Sequence, residues 1–410
     1  MPTASGLAVL ADCRRYSTLV GLELRRCWIK LSTAAVAAIF GLMAKQSVLS
    51  TFQKSNGAEF IERDGWLLPA RFGDSAMEYA AVRSTVGLLE LSYRGLLQVT
   101  GPDRLSFLQG MLSNDLRALK PFAGQHATLL NQQGKLIADV RVLCAMNSFY
   151  LDFLERLKET ILAHLNRYLV ADEVEIVDRS NEYGTLSVQG PQSETLLRKL
   201  VGQAELPEQP LQHAMVNVDA TNICIVYASH TGETGFDLIT PIASLPAIAE
   251  RLTEIGKAFS AVWVGEQAQD ILRIEAGIPR YGVDFTEDNL LLEVGLDNAV
   301  SFNKGCYLGQ EVVERIRSRG HVNKKLVGLS LEGRESASPG DAIVFADKPV
   351  GTITSCVYSP ALGKPVAFAY VHKDYWNLDT RLIVNHNGIS LRATVTDLPF
   401  VRPLGAVSSS

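Results

Sequence analysis

The stretch Asn303-Lys304-Gly305-Cys306-Tyr307-Leu308-Gly309-Gln310-Glu311 is the most unusual in this chain. Two glycines, which permit backbone geometry and close approach that other residues resist, bracket a cysteine standing two positions from a lysine. A nearby cation favours thiolate, so Cys306 is the cysteine placed to be reactive. A small packing residue in a tight loop is the plain alternative, and on the residues alone both readings stay open. The segment that follows, as far as Lys325, sets Arg315, Arg317, Arg319, Lys324 and Lys325 against Glu311 and Glu314. It is either a positive patch for a polycarboxylate tail, a phosphate or RNA, or a solvated helix face with Val312, Val313 and Ile316 inward and Gly320 at its end.

Beyond Lys325 the character changes to short Val/Ile-rich runs broken by Gly and Pro: Leu326 to Leu331, Ala342 to Phe345, Val350 to Thr354, Val366 to Val371, Arg381 to Val384 and Leu391 to Val395. Six strands in so short a span predict a small all-β domain, a barrel. Before the boundary the pattern is mixed. Leu96 to Val99 reads as a strand, Gly101-Pro102 as a turn, and Leu105, Leu108 and Leu112 repeat at helical spacing. The same punctuation returns at Val188-Gln189-Gly190-Pro191, followed by Leu196, Leu197 and Leu200, which suggests a duplicated α+β unit. Between the echoes, Ala127 to Leu130 and Leu136 to Leu143 form a predicted hairpin closed by Asn131-Gln132-Gln133-Gly134, and Glu155 to Val170 a predicted amphipathic helix. The expected domains are an N-terminal extension over residues 1–45, a body over 46–325, a barrel over 326–403 and a tail over 404–410.

Composition narrows the function. The 410 residues are 47% hydrophobic and 20% charged, enough for a large core, and a formal charge of -5 argues against generic nucleic-acid or anionic-membrane binding. The six cysteines, Cys13, Cys27, Cys144, Cys224, Cys306 and Cys356, show neither a C-x-x-C pair nor zinc spacing, so a reducing, cytoplasmic setting without a structural metal is expected. Arg14, Arg15, Arg25, Arg26 and Lys30 precede an apolar run from Thr33 to Ala44. The run resembles a signal or anchor, yet it is short for a membrane span and lacks a small-residue cleavage pattern. Translation from Met43 is the preferred reading.

Three acidic positions complete the candidates. Asp139 sits where the apolar alternation of a strand puts a solvent-facing residue, which a plain exposed aspartate would also satisfy, and Glu233 and Asp237 lie in Gly232-Glu233-Thr234-Gly235-Phe236-Asp237, a tight turn entering a strand.

The stretch from Asn303 to Glu311 resembles the K-G-C-Y-x-G-Q-E signature of YgfZ-type folate-binding proteins. The resemblance runs from about Gly65 to Pro403, through Thr100-Gly101-Pro102-Asp103, Leu129-Leu130-Asn131, Gly134 to Asp139, Gly232 to Asp237 and Arg273-Ile274-Glu275-Ala276-Gly277. It implies membership of the glycine-cleavage T-protein (aminomethyltransferase) superfamily. The fold so implied is α+β, with a folate-binding body of two ferredoxin-like subdomains and a C-terminal β-barrel around a central opening. It also implies tetrahydrofolate or a folate derivative as cofactor. Asp237 matches the superfamily's pterin-binding acidic position, where one carboxylate can accept an N–H and an amino group side by side. Glu233, Arg273, Lys304 and Asn131 join it as expected folate-site residues, Arg273 and Lys304 toward the carboxylates or the polar ring edge.

This sequence departs from the transferases of the superfamily in several places. Their paired aspartates stand here as Ala138-Asp139, their Asp at the position of Cys306 is a cysteine here, and His126 and His230 replace tyrosines. Asp139 is expected to be the surviving functional aspartate. The function expected first is a folate-binding accessory protein for iron–sulfur cluster assembly or repair, with iron–sulfur client enzymes or assembly proteins, including tRNA-modifying ones, as partners and Cys306 as the essential thiol. The second is a folate-dependent aminomethyltransferase or related one-carbon transferase in which Asp139 polarises an amine. The third is a non-catalytic module that holds clients or tRNA through the basic segment, with weak tRNA contact and no membrane role.

Overall fold

The computed structural model describes residues 44–320 and 322–402. The stretch before Met43 and the proposed start itself lie outside the described residues, as do Cys13 and Cys27. Residues 44–46 and 62–67 belong to one compact unit and residues 47–61 and 68–402 to another. The first is small: β1 (Lys45–Gln46) runs parallel to Trp66 and Leu67, and the Lys45 ammonium lies 5.5 Å from the Trp66 ring centroid. Strands β2 (Glu59–Arg63) and β3 (Trp66–Arg71) complete the N-terminal part.

In the large unit, one five-stranded sheet contains β5 (Arg94–Thr100), β6 (Gly124–Leu130), β7 (Leu136–Cys144), β8 (Phe149–Leu154) and β9 (Glu175–Asp178), in the spatial order β6-β7-β8-β5-β9. A six-stranded sheet contains β4 (Gly87–Glu90), β10 (Tyr183–Gln189), β11 (His213–Val218), β12 (Thr221–Tyr227), β13 (Gly235–Pro241) and β14 (Val262–Trp263), ordered β11-β12-β13-β10-β4-β14. The echo in the sequence is visible in the topology. Strands β5 and β10 each lead through a Gly-Pro turn into a helix, Arg104–Met111 and Ser193–Val201, and then into three antiparallel strands and a second helix, Lys158–Tyr168 and Leu245–Gly256. Each half has the ferredoxin-like order with one added edge strand, and β4 is inserted beside β10 in the second.

The predicted hairpin forms from β6 and β7, with a register shift at Leu129/Leu130. Its turn is closed by Asn131, whose Oδ1 accepts from the backbone N–H groups of Gln133 at 2.9 Å and Lys135 at 3.0 Å. The expected helix after β8 begins as a 3-10 turn at Glu155–Leu157 and ends at Tyr168, leaving Val170 exposed.

The barrel closes from β15 (Lys324–Leu331), β16 (Ala342–Phe345), β17 (Lys348–Ser359), β18 (Lys364–His372), β19 (Arg381–His386) and β20 (Ile389–Thr396) in the order β15-β18-β17-β16-β19-β20. Inward Leu329, Ile353, Ala367, Ala369, Val384 and Val395 fill it at the period of two that a half-buried strand requires. Closure leaves no edge strand to pair with another chain.

Polar side chains fasten the barrel to the helix Glu266–Glu275. Arg273 donates to Asp284 Oδ2 at 2.6 Å, to Asp270 Oδ1 at 2.8 Å and to Ser355 Oγ of β17 at 3.1 Å. Asp284 in turn accepts from Thr354 and Ser355 of β17. Glu275 is buried and accepts from Tyr79, Arg83 and Ser359, the last being the end of β17. Replacing Arg273 by Met would leave the buried Asp284 carboxylate without a cation, and loss of one partner of such a pair costs about 3–5 kcal/mol. Urea unfolding of Arg273→Met is expected to show a loss of that order, and Ser355→Ala a loss of about 1 kcal/mol. A change below 1 kcal/mol in Arg273→Met would remove Arg273 from this structural role.

Glu90 of β4 is buried without a cation beside it among the described residues: Ser47 Oγ donates to one carboxyl oxygen and Gln53 Nε2 to the other at 2.5 Å. Burial raises its pKa above the ordinary 4.5, against the pull of those hydrogen bonds. The neutral carboxyl therefore stabilises the fold fully below about pH 4.5, and that contribution is lost as pH rises through the folded value. Glu90→Gln fixes the neutral form. Thermal midpoints of the two proteins should diverge in favour of the variant as pH climbs toward neutrality, and parallel curves would refute the assignment.

Candidate functional site: a polar cleft between two sheets

Alternation along β7 puts Asp139 and Arg141 on one face, while Ala138, Val140 and Val142 enter the core on the other. Register then sets their neighbours. Thr128 stands opposite Asp139, His126 opposite Arg141 on one side, and Asp152 of β8 opposite Arg141 on the other. This face looks toward the second sheet. Leu96 and Leu143 meet Val226, Ala228 and Ile239 across the gap, and Arg141 Nη1 donates to Asp237 Oδ2 of β13 at 2.6 Å.

A chain of alternating charges results. Arg94 Nε donates to Asp152 Oδ1 at 2.5 Å, Arg141 Nη2 donates to Asp152 Oδ2, Arg141 Nη1 reaches Asp237, and His230 Nε2 lies 2.9 and 3.0 Å from the two oxygens of Asp237. Burial by itself would push the Asp237 carboxyl up. The positive charge of Arg141 and the hydrogen bonds from Arg141 and His230 outweigh it and hold Asp237 well below the ordinary carboxylate range. Asp237 is therefore ionised, and it is 0% exposed. The loop that presents His230 is organised by the buried amide of Gln189, which donates to Ser187 Oγ and the Ala228 carbonyl and accepts from His230 N and Thr231 Oγ1.

Two groups beside this chain stay out of it. Asp139 has no ion pair and no hydrogen bond with another residue's side chain among the described residues, and it is half-buried. Burial pushes its pKa up, opposed by the charges of Arg94 and Arg141. His126 moves the other way: burial first, then Arg141 and Arg94, bring it down to about 4, so the ring is neutral at physiological pH.

The remaining candidates are engaged by the protein itself. Glu233 is buried and paired with Arg83 at 2.7 Å, and Arg83 also holds Glu275, so this acid braces the turn against the helix Ser75–Ser84. Arg273 is occupied at the barrel, as described, and Asn131 in its turn. Lys304 is buried, and its ammonium donates to the carbonyls of Gln109 at 2.8 Å, Leu112 at 2.6 Å and Asn114 at 2.8 Å, which uses all three of its N–H groups. Burial pulls its pKa down to about 8. The cation that the sequence sets beside Cys306 is thus turned inward as a clamp on the chain after the helix Arg104–Met111.

The loop around it is a built platform. Tyr307 is buried with Lys304 Nζ 5.1 Å from its ring centroid, and Leu308 N donates to Gly110 O at 2.9 Å. Gly309 has φ +84° and lies where a Cβ would stand 2.6 Å from Asn131 O, so only glycine lets the helix Gln310–Arg319 start against the β6–β7 turn. Cys306 is the exposed member. Burial raises Cys144, takes Cys356 to about 11 and takes Cys224 to about 12, which makes all three poor nucleophiles. In the following helix Val313 is buried and Arg315 and Arg317 are exposed, Arg317 lying 4.3 Å from the Phe302 ring centroid.

Sequence reasoning missed Arg94, Arg141 and Asp152. The signal was present: Arg141 and Asp152 are charges inside the apolar runs Val140 to Leu143 and Leu151 to Phe153, at positions that period-two alternation places on the face of Asp139. Among the described residues no group of three or more His, Cys, Asp or Glu side chains could hold a metal ion, and no helix is long and apolar enough to cross a membrane.

Comparison with known proteins agrees with this architecture. Residues 49–304 match the GCVT N-terminal domain, and residues 324–402 match the glycine cleavage T-protein C-terminal barrel domain. The aminomethyltransferase of Halalkalibacterium halodurans is 29% identical over 366 residues, covering 87% of this chain and 98% of the relative. That of Synechococcus elongatus is 32% identical over 364 residues, covering 87% and 96%. The crystal structure of the glycine cleavage system aminomethyltransferase T from Bartonella henselae aligns with a TM-score of 0.82 at 26% identity, over 88% of this chain and 99% of that one. With both domains matched in order over most of its length, this chain belongs to the glycine cleavage T-protein family.

Proposed function

We propose that this protein binds a reduced folate in the cleft between β7 and β13 and transfers a one-carbon unit between that folate and an amine. The observation that carries the reading is Asp139, a cleft carboxylate of raised pKa left unpaired where Asp152 and Asp237 are both neutralised by arginine. The cleft's acceptors are compatible with a pterin edge, which offers an N–H and an amino group. Neutral His126 and partly exposed His230 present acceptors, although the fully buried Asp237 does not. Tetrahydrofolate, when bound, supplies the nitrogens that carry the one-carbon unit.

Asp139 holds the amine by accepting its N–H hydrogen bond, and its carboxylate stabilises positive charge as it develops there. Its raised pKa also makes it a stronger base than an exposed aspartate, able to take the amine's proton. His126, kept neutral, orients the ligand without repelling an ammonium group.

A second reading is supported by Cys306. Its exposure on the K-G-C-Y-L-G-Q-E loop favours the YgfZ-type role, a folate-binding accessory protein for iron–sulfur assembly or repair, with clients that include tRNA-modifying enzymes and with Arg315 and Arg317 offering a basic contact. The four described cysteines are all free, as a cytoplasmic location would require.

Calorimetry with 5-formyltetrahydrofolate should show saturable binding to the wild type. Asp139→Asn should keep that binding within about threefold while lowering methylene-tetrahydrofolate formation from an aminomethyl donor by about 10²–10⁴-fold, the usual span for a general acid or base. Retained transfer in Asp139→Asn would remove Asp139 from the chemistry, and absence of folate binding by the wild type would remove both readings.

The two roles separate on the thiol. Cys306 should be the first of the four described cysteines to be alkylated by iodoacetamide at neutral pH, because the others are buried or raised. If the accessory role holds, Cys306→Ser abolishes complementation of an iron–sulfur enzyme defect while folate binding persists. Full complementation by Cys306→Ser leaves the transferase reading alone.

A further inference from the structure

Asp237 occupies the position from which the resemblance would have a carboxylate meet a pterin directly, yet its surroundings do not allow that. It has no exposed surface, Arg141 takes Oδ2, and His230 Nε2 spans both oxygens. Arg141 is itself only 5% exposed and is held from the other end by Asp152, whose second oxygen is taken by Arg94. Freeing Asp237 for a ligand would therefore break a buried ion pair within a five-member chain. The side chain of His230, by contrast, is 23% exposed and is the outermost member of that chain.

We infer that Arg141 and Asp237 are positioning residues for His230, and that the His230 imidazole is what this side of the cleft offers to a ligand. An ionised carboxylate has no proton to donate, so the hydrogen in the His230–Asp237 contact sits on Nε2. In the neutral ring Nδ1 is then a bare lone pair, an acceptor for an N–H or amino group. Arg141 makes this arrangement durable, because its planar fork binds Asp152 and Asp237 at once and leaves Asp237 no freedom to turn away. The ligand class is one with a hydrogen-bond donor along a flat polar edge, and for a pterin the inference rests on the folate reading above.

The test uses the full chain and 5-formyltetrahydrofolate as the probe, with dissociation constants for His230→Phe, Asp237→Asn and the double variant. Loss of one good ligand hydrogen bond predicts about tenfold weaker binding for His230→Phe. Asp237→Asn should weaken binding by a similar or smaller factor, and the double variant should bind within about twofold of His230→Phe, since the aspartate acts only through the ring. His230→Gln, whose amide oxygen is again an acceptor, should recover part of the loss. Multiplicative losses in the double variant would show that Asp237 meets the ligand on its own and would overturn the inference. An independent arm needs neither ligand nor substitution: ¹⁵N spectra of the wild-type histidine rings should show His230 with a protonated Nε2 and a bare Nδ1. An Nδ1–H tautomer overturns the inference whether or not folate binds. Absence of folate binding together with the expected tautomer would strike only the folate reading.

Discussion

Arg141 is the side chain on which the cleft depends. It lies between Asp152 of its own sheet and Asp237 of the opposite one, and its two terminal nitrogens tie the halves of the duplicated body together at the point where they would otherwise enclose unpaired charge. Neither aspartate could be buried as an anion alone, because desolvation would cost several kcal/mol. Arg94 adds the second cation, so two arginines face two aspartates. Such a network contributes less to net stability than to uniqueness of arrangement, since an alternative packing of the two sheets would strand at least one charge. Within this otherwise balanced set Asp139 is in excess. A carboxylate that the surrounding arginines influence but do not bind is the group left over for something outside the protein.

Much of the fold was legible in the sequence because it follows from backbone periodicity. The Val99-Thr100-Gly101-Pro102 and Val188-Gln189-Gly190-Pro191 echoes mark equivalent strand-to-helix turns in two halves whose strand orders match apart from the inserted β4. The runs after Lys325 close into a barrel because their inward residues are apolar at every second position. Alternation also put Asp139 on the side opposite the core, but a period of two says only which residues share a face. It does not say whether that face meets water or another sheet, and for β7 it met another sheet. That difference turned a plain surface aspartate into a cleft carboxylate.

The polar candidates were harder to read because their roles are decided by partners distant in sequence. Glu233 meets Arg83, Arg273 meets Asp284 and Ser355, and Lys304 meets carbonyls nearly two hundred residues earlier. Spacing in one chain carries no information about such pairings. Lys304 is the instructive case. The electrostatic reasoning that a cation activates a neighbouring thiol is sound, but three carbonyl acceptors compete for the same ammonium, and in a buried loop they win.

The two chemistries considered for this protein place the reactive group on different elements, Asp139 on β7 and Cys306 on the loop before the last helix of the body, yet those elements are mechanically joined. The β6–β7 turn packs so closely on Gly309 that Asn131 O would stand 2.6 Å from any Cβ there, and Val312 of the following helix sits where a Cβ on Gly134 would fall, at 2.8 Å. Lys304 fixes the other flank of the loop to the chain after the first helix of that half. The loop between these two anchors has little slack, and its exposed element is a thiol. The close packing of Gly134 and Gly309 is thus the feature that joins the strand carrying Asp139 to the loop carrying Cys306.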